Sequence, residues 1–191
     1  MVEHVAGMTI GDFVRLYEDE GPFELIDGER IHLSPPLMKH VKTTHNLLFD
    51  LHLHVKKHHL GEVFSETPFV VAHTSNWVRG SRVPDLLFVA AERFADYQTQ
   101  VPDWQDKPLV LVPDLVAEIV SANDRYTEIA EKVRRYLEDG VQVIWLVDPF
   151  ERIVIVYTAG SNQQTRLTEG DALDGGSVIP GFSMPVAALF A

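Results

Sequence analysis

The chain has 191 residues, of which 46% are hydrophobic and 23% are charged, a composition that predicts one globular domain over residues 1–191. It contains no cysteine, which excludes disulfides, thiolate metal sites and cysteine nucleophiles. The net charge of −12, from 16 basic and 28 acidic side chains, is opposite to that of most polyanion binders, so any contact with nucleic acid is expected to be local.

The N-terminus and the apolar runs predict where the protein is located. The stretch "MVEHVAGMTIGDF" lacks the charged region and the apolar core of a signal peptide. The longest apolar runs are far shorter than the roughly 20 residues of a membrane-spanning helix. We therefore expect a cytoplasmic protein.

The first third of the chain predicts a helix, a hairpin and a second helix. Thr9 and Asp12 have the spacing of a capping box at the start of a helix through "IGDFVRLYE". In "PFELIDGERIHLSPP", the Asp-Gly pair at 27–28 is a strong turn signal between two short strands. From Met38 to His59, apolar side chains recur at helical spacing.

Five strand-like segments follow Gly61, with one helix among them. The segments are "EVFSETPFVVA", "DLLFVA", "LVAEIV", "VQVIWLVD" and "RIVIVYT". The helix "YTEIAEKVRRYLEDG" lies between the third and fourth segments and ends at Gly140, which predicts that these two strands are parallel. The turn signal at Asp148-Pro149 predicts a hairpin of the last two strands, and "VIPGFSMPVAALF" predicts an extended tail with one helical turn. The order of elements predicts an α/β fold.

A carboxylate lies in the middle of the third strand-like segment. In "DLVAEIVSAND" (residues 114–124), Glu118 interrupts a nearly continuous apolar run that polar turn residues close. Burying an unpaired charge costs several kcal/mol, so something must hold this glutamate in place. We therefore interpret Glu118 as a functional residue.

Three Val-Pro-Asp tripeptides offer a second carboxylate, although turn chemistry alone explains most Pro-Asp pairs. Asp114 and Glu118 share a strand and lie roughly 13 Å apart, too far for one cation whose ligand oxygens lie at about 2 Å. Asp103 precedes the polar stretch "WQDKP", which has no strand to hold it. Asp85 opens the apolar segment "DLLFVA", and carboxylates on neighbouring strands about 5 Å apart can share a cation. Asp85 is therefore the candidate partner of Glu118.

An aspartate after proline at a strand start, followed by a glutamate in an apolar strand, resembles the PD-(D/E)XK nuclease superfamily. Within it, the chain is similar to the Uma-type family of restriction-endonuclease-like proteins. The similarity covers most of the chain in order: "FELIDGERIHLSPP", His40, "VPDLLFV", "PDLVAEIVS", "EKVRRYLEDGVQVIWLVDP" and "PGF". It implies a restriction-endonuclease-like core, with a mixed central β-sheet flanked by helices and an N-terminal helix and β-hairpin.

The resemblance implies a site that uses Mg²⁺ or Mn²⁺. In the superfamily, the Pro-Asp aspartate and the strand glutamate, here Asp85 and Glu118, bind the cation together with the carbonyl group of the next residue, Ile119. A lysine normally stands two positions after the glutamate, where this chain has Val120. The Uma-type family supplies the lysine from the next helix, which matches Lys132.

Lys132 has two interpretations. It lies one helical turn from Glu128 and one from Tyr136, and this stripe can face Glu118 if the helix packs over the ends of the strands. The alternative is a surface Glu128–Lys132 pair worth about 0.3–0.5 kcal/mol. The resemblance favours the functional interpretation, with Glu128 as an accessory residue.

The remaining candidates are one glutamate and several histidines. Glu24, on the first hairpin strand, and His40 match positions of the family, which makes both accessory candidates. The long helix also carries histidines with regular spacings: His45, His52, His59, and the pair His54 and His58. No glutamate follows His54, so the metalloprotease signature is absent. We interpret these histidines as a polar helix face that, with the lysines at 56–57, is the one basic cluster visible in the sequence and can contact phosphate.

Three functions are compatible with these patterns. The leading hypothesis is a Mg²⁺-dependent endonuclease that cleaves DNA held in a local cleft, acting as a homodimer because duplex cleavage often needs two active sites. The second is a nuclease-fold binding or assembly module with a weak or inactive site, suggested by the net charge of −12 and by Val120. The third is a metal-dependent hydrolase of another phosphodiester.

Overall fold

The computed structural model describes residues 7–74, 76–122 and 124–191. The strands are β1 (Met8–Thr9), β2 (Phe23–Ile26), β3 (Glu29–His32), β4 (Gly61–Ser65), β5 (Phe69–Thr74), β6 (Trp77–Arg82), β7 (Leu86–Ala90), β8 (Leu115–Ile119), β9 (Val143–Asp148), β10 (Ile153–Thr158), β11 (Gln164–Leu167), β12 (Ala172–Asp174) and β13 (Ser183–Pro185). The helices are α1 (Ile10–Glu20), α2 (Met38–His58), α3 (Ala91–Gln100), α4 (Tyr126–Asp139) and α5 (Val186–Leu189), with a 3-10 turn at Trp104–Asp106. None of the helices in the described ranges combines the length and the apolar character needed to cross a membrane.

A mixed sheet of six strands forms the centre of the protein. Its order is β11-β10-β9-β8-β7-β4, and β8 and β9 are its parallel pair, connected by the crossover helix α4. The other neighbours are antiparallel, including the hairpin of β9 and β10. The predicted parallel pair, the predicted hairpin and the mixed sheet flanked by helices are therefore confirmed.

Both faces of the central sheet are covered, which explains the continuous apolar run of β8. On one face, the apolar stripe of α2 packs against alternate sheet residues and against the C-terminal segment; this cluster includes Leu47, Leu51, Val55, Leu86, Ala117 and Trp145. On the other face, α3 and α4 contribute to a second cluster that includes Leu87, Phe94, Val116, Val133, Tyr136 and Ile144. A polar side chain on β8 is therefore buried whichever face it occupies.

The N-terminal elements pack beside the central sheet around a third apolar cluster, which includes Phe13, Phe23 and Val78. Thr9 caps α1 by accepting a hydrogen bond from the Asp12 N–H, as the capping-box spacing predicts. β2 and β3 form the predicted hairpin, and β1, β6 and β5 form a small antiparallel sheet. The Leu25 N–H donates to Ser81 Oγ at 2.8 Å, which attaches the hairpin to β6. This attachment positions the segment that leads from β6 into β7.

Several elements differ from the sequence prediction. "EVFSETPFVVA", predicted as one strand, forms β4 and β5 in two different sheets, because the chain turns at Glu66, whose φ is 47°. Helix α3 was not predicted, and its start at Ala90 has no side-chain cap that would mark it in the sequence. β1, β6, β11 and β12 were also not predicted, because these strands are stabilised by pairing with neighbours that the local sequence does not show. The C-terminal segment is extended at β13 and then forms the single helical turn α5, as predicted. Helix α2 ends one residue early, and His59 adopts the left-handed conformation of a C-cap.

Candidate active site

Asp85 and Glu118 lie side by side on adjacent strands. β7 and β8 are antiparallel with Leu86 opposite Ala117, so the residue before β7, Asp85, continues the register opposite Glu118. Directly opposite residues have Cβ atoms about 4.5–5.5 Å apart and point to the same face of the sheet. That face is covered by α4, because the neighbouring side chains of Leu87 and Val116 pack in the cluster that contains Tyr136.

Asp85 is held by two contacts. Its Oδ2 accepts a hydrogen bond from the Ile119 N–H at 2.6 Å, which connects it to the end of β8. Its Oδ1 lies 3.1 Å from Nε2 of His40, near the start of α2. The N–H and C=O of one residue in an extended strand point to the same side, so the Ile119 carbonyl also faces the Asp85 side of β8.

Glu118 is held by two side chains of α4. Lys132 Nζ lies 2.8 Å from Glu118 Oε2, and the Tyr136 hydroxyl donates to Glu118 Oε1. The Glu118 side chain is only 10% exposed, while Lys132 retains 32% exposure and reaches solvent. Lys132 and Tyr136 are one helical turn apart, so a single stripe of α4 supplies both contacts. The buried glutamate thus has a cationic partner and a neutral donor.

Burial dominates the electrostatics of this pair. It raises the pKa of Glu118 from 4.5 to about 7; the charge and hydrogen bond of Lys132 oppose this rise, while the charge of Asp85 adds to it. For Lys132, burial lowers the pKa, but the charges of Glu118, Glu24 and Asp85 outweigh burial and hold the pKa well above its ordinary value. Lys132 therefore stays an ammonium ion at neutral pH, and Glu118 gains or loses a proton near neutrality.

Burial and the nearby carboxylates also shift the pKa values of Tyr136 and His40. Burial, followed by the charge of Glu118, raises the pKa of Tyr136 well above 10, so its hydroxyl remains a neutral donor. For His40, burial lowers the pKa, but the hydrogen bond and charge of Asp85, with Glu118 and Asp124 further away, raise it overall.

Glu24 and Glu128, the two accessory glutamates, occupy different places. Glu24 is 5% exposed, and its Oε1 accepts a hydrogen bond from the Val83 N–H at 3.0 Å, two residues before Asp85. It therefore anchors the Val-Pro-Asp segment. Glu128 Oε2 accepts from the Arg125 N–H at 3.3 Å at the start of α4. The predicted alternative, a Glu128–Lys132 pair, does not form in the described part of the chain, where Lys132 pairs with Glu118 instead.

A small cavity opens beside Glu118. It has a volume of about 90 Å³, and among the residues that line it are Glu118, Ile119, Val120, Asp124, Glu128 and Lys132. This volume accommodates several water molecules. Val120 lines the wall with an apolar side chain, and its N–H donates to the Val147 carbonyl at 2.8 Å. The Lys132 ammonium group reaches the same cavity from α4.

The donor set fits a hard divalent cation that keeps part of its water. Asp85 and Glu118 offer carboxylate oxygens and Ile119 offers a carbonyl oxygen, and oxygen is the donor that Mg²⁺ and Mn²⁺ prefer. Within residues 7–74, 76–122 and 124–191, no group of three or more His, Asp or Glu side chains is arranged around one metal position. Mg²⁺ typically needs only one or two carboxylates, with waters and substrate phosphates completing its octahedron.

The other Val-Pro-Asp aspartates have structural roles. Asp114 Oδ1 lies 2.7 Å from Arg93 Nη1, and its Oδ2 accepts from the Ala90 N–H at 2.9 Å, so it anchors α3 at the opposite end of β8. Asp103 is exposed, and its Oδ2 lies 2.7 Å from Lys107 Nζ.

The predicted histidine face of α2 is not a metal site in the described residues. His54 Nε2 lies 3.1 Å from the Pro180 carbonyl oxygen, and its ring lies 4.6 Å from that of His58. Lys56, part of the predicted basic cluster, is paired with Glu62 at 2.6 Å. This pairing lowers the positive charge that the face presents to a phosphate.

The sequence alone did not identify the role of Tyr136. Its position in the stripe with Lys132 was noted, but a tyrosine at helical spacing is usually a core residue, and Tyr136 is indeed fully buried. The signal that points to a polar role is its spacing of four residues from Lys132 on the face opposite a buried carboxylate.

Comparisons with known proteins agree with this architecture. The sequence profile of a family described as "Uma2: Putative restriction endonuclease" matches residues 10–187. A solved structure of "a putative nuclease belonging to DUF820 from Anabaena variabilis ATCC 29413" superimposes with a TM-score of 0.76 at 22% identity, covering 96% of this chain and 97% of that chain. No curated protein shows significant similarity to the chain. The likeness to the solved structure establishes a shared fold, and the profile match confirms the predicted resemblance.

Proposed function

This chain belongs to the Uma2 family, and from that premise we propose that it is a divalent-metal-dependent endonuclease that hydrolyses phosphodiester bonds of DNA. The observation that supports this best is the juxtaposition of Asp85 and Glu118 on adjacent strands, with the Lys132 ammonium 2.8 Å from the Glu118 carboxylate. Phosphodiester hydrolysis needs an oxygen-ligand metal site, a fixed cation near the reacting phosphate and access for water.

In this proposal, Asp85, Glu118 and the Ile119 carbonyl hold Mg²⁺ or Mn²⁺. When bound, the cation supplies Lewis-acid polarisation of a phosphoryl oxygen and a lower pKa for water. His40 and the Ile119 N–H orient the Asp85 carboxylate from two directions. Tyr136 and Lys132 orient the Glu118 carboxylate in the same way. These partners keep the ligand side chains from rotating away from the site.

Besides orienting Glu118, Lys132 provides a fixed positive charge in the proposed reaction. Its raised pKa keeps it positively charged, and its partial exposure places the ammonium at the boundary between the buried carboxylate and solvent. A fixed positive charge at this boundary stabilises negative charge that develops on a phosphate. We assign to Lys132 the role that the superfamily usually gives to the lysine at the place of Val120. Homodimerisation and cytoplasmic location remain predictions.

The proposal is tested by incubating single-stranded and supercoiled DNA with the protein and Mg²⁺ or Mn²⁺. We expect cleavage by the wild type, and a loss of at least about 100-fold in Glu118→Gln and Asp85→Asn. Asp103→Asn is the matched control, because it removes an aspartate from the same tripeptide at the surface. Equal cleavage by wild type and Glu118→Gln would contradict the proposal. Absence of both metal binding and cleavage of any DNA would favour the alternative of a nuclease-fold binding module, whereas metal binding that Asp85→Asn abolishes would contradict that alternative.

A further inference from the structure

The first turns of α2 have a groove on one side and His40 on the other. It has a volume of about 730 Å³ and is formed by the first half of α2, the turn between β9 and β10, and the C-terminal residues. It is separate from the cavity beside Glu118, which has a different lining.

The lining of the groove is positive although the chain is acidic. Lys39, Lys42 and Arg152 line it, and no side chain among its described lining residues is acidic. Arg152 pairs with Glu169 outside the groove, whereas Lys39 and Lys42 form no ion pair within the described part of the chain. Two uncompensated ammonium groups in a chain of net charge −12 make this groove a local anion-attracting site.

Aromatic rings alternate with these cations. Lys39 Nζ lies 4.5 Å from the centroid of the Phe150 ring, and Arg152 Cζ lies 5.2 Å from that of Phe190. Phe150 is 46% exposed, so the face of its ring is accessible from the groove that it lines. Flat apolar rings beside cations are the combination that binds single-stranded nucleic acid, since bases stack on the rings while phosphates contact the cations.

The groove and the candidate active site share two elements. Lys39 directly precedes His40, whose imidazole contacts Asp85. Phe150 follows β9, on which Leu146 lies opposite Glu118 and lines its cavity. Phe150 is four positions after Leu146, so their Cα atoms are at most about 14 Å apart. The chain path from the residue opposite Glu118 to the edge of the groove is therefore short.

We propose that this groove binds a single-stranded segment of the nucleic acid that flanks the scissile phosphate. Lys39 and Lys42 contact phosphates, and Phe150 stacks on an unpaired base. A duplex fits less well, because its bases are already stacked and its two strands bring one negative charge per about 1.7 Å toward an acidic protein. The inference rests on the proposed function, in that it names the form of substrate that the same site receives.

The test measures binding in EDTA, so that no cleavage is needed, by fluorescence anisotropy of a labelled single strand of about 12 nucleotides. We expect the double variant Lys39→Ala/Lys42→Ala to bind at least about tenfold more weakly, with a salt-dependence slope smaller by about 1.4, the value for two phosphate contacts on a single strand. Phe150→Ala is expected to bind at least about fivefold more weakly with an unchanged salt slope, because stacking carries no charge. The same sequence as a duplex should bind more weakly than the single strand.

The matched control is Arg15→Ala/Lys107→Ala, which removes the same charge from α1 and from the end of the 3-10 turn, both outside the groove. We expect it to bind like the wild type. Equal losses in both double variants, wild-type binding by Phe150→Ala, tighter duplex binding, or no binding of any strand would each overturn the inference. Self-association that is lost in Phe150→Ala, in a protein that binds no strand, would assign the groove to a second copy of the chain and also overturn it.

The outcome is distinguishable from failure of the proposed function. If the wild type and Glu118→Gln bind the strand equally well and neither cleaves it with Mg²⁺ or Mn²⁺, the groove stands and the nuclease proposal fails. If the wild type cleaves DNA while the groove variants bind and cleave single strands like the wild type, the nuclease proposal stands and the groove inference fails.

Discussion

Replacing Glu118 with glutamine is expected to stabilise the metal-free protein above neutral pH, because the wild type buries a carboxylate there. Burial raises the pKa of Glu118 from 4.5 to about 7 in the folded protein, even with Lys132 opposing it. An acid with a raised folded pKa binds its proton more tightly in the folded state. Its contribution to stability is therefore fully present below about pH 4.5 and is lost as the pH rises through about 7.

The size of the effect follows from the two pKa values. The difference between 4.5 and about 7 corresponds to about 3 kcal/mol, at 1.36 kcal/mol for each pH unit. Glutamine does not titrate and keeps both contacts, since its carbonyl accepts from Lys132 and its amide N–H donates to the Tyr136 oxygen. The free energy of unfolding of Glu118→Gln, relative to that of the wild type, should therefore increase by about 3 kcal/mol between about pH 4.5 and about pH 8.

The assay is urea denaturation in EDTA at several pH values across this window. Asp103→Asn is the control, because the Lys107 hydrogen bond holds the pKa of Asp103 below 3.8, so its effect on stability should stay constant across the same window. A constant difference between wild type and Glu118→Gln at all pH values would refute the reasoning, since it would mean that Glu118 titrates as an exposed carboxylate does. Greater stability of the wild type at about pH 8 would refute it equally.

The remaining predictions concern the same cluster. Mg²⁺ or Mn²⁺ at about 100 times its dissociation constant should stabilise the wild type by about 2.7 kcal/mol, and Asp85→Asn should lose this effect in thermal denaturation with and without metal. Lys132→Met should abolish DNA cleavage and destabilise the metal-free protein by about 2 kcal/mol at about pH 8, where it removes the cation that pairs with the Glu118 carboxylate. It should destabilise the protein by less at about pH 5, where Glu118 of the wild type is protonated; urea denaturation at the two pH values checks this. Tyr136→Phe should lower the affinity for Mn²⁺ by about 10–100-fold in calorimetry while the folded state persists, since it removes only the hydroxyl that orients Glu118; unchanged Mn²⁺ affinity would show that the hydroxyl has no part in the site.

Two residues of the candidate site were recognisable from local patterns, whereas Lys132, His40 and Glu24 were implied by the resemblance to the family. Glu118 stands out because a charged residue interrupts an apolar run, and Asp85 because it opens an apolar segment. The long helices and the hairpin at 27–28 were predicted correctly, since capping residues, turn residues and hydrophobic periodicity are written within a few positions of each other. The elements that were missed, such as β6 and α3, carry no strong local signal and are held by neighbours that are distant in sequence.

The contacts between these residues depend on how the strands and helices pack in the folded chain. The order of strands places Asp85 opposite Glu118, and the packing of α4 directs Lys132 and Tyr136 to the two oxygens of Glu118 rather than to Glu128 or to solvent. The chemical groups of the site and most of the elements that carry them follow from the sequence, because periodicity and turn chemistry act over a few residues. Only the folded chain brought Lys39 and Phe150 together and set Glu24 against Val83, because those contacts join segments far apart in sequence through the packing of separate elements.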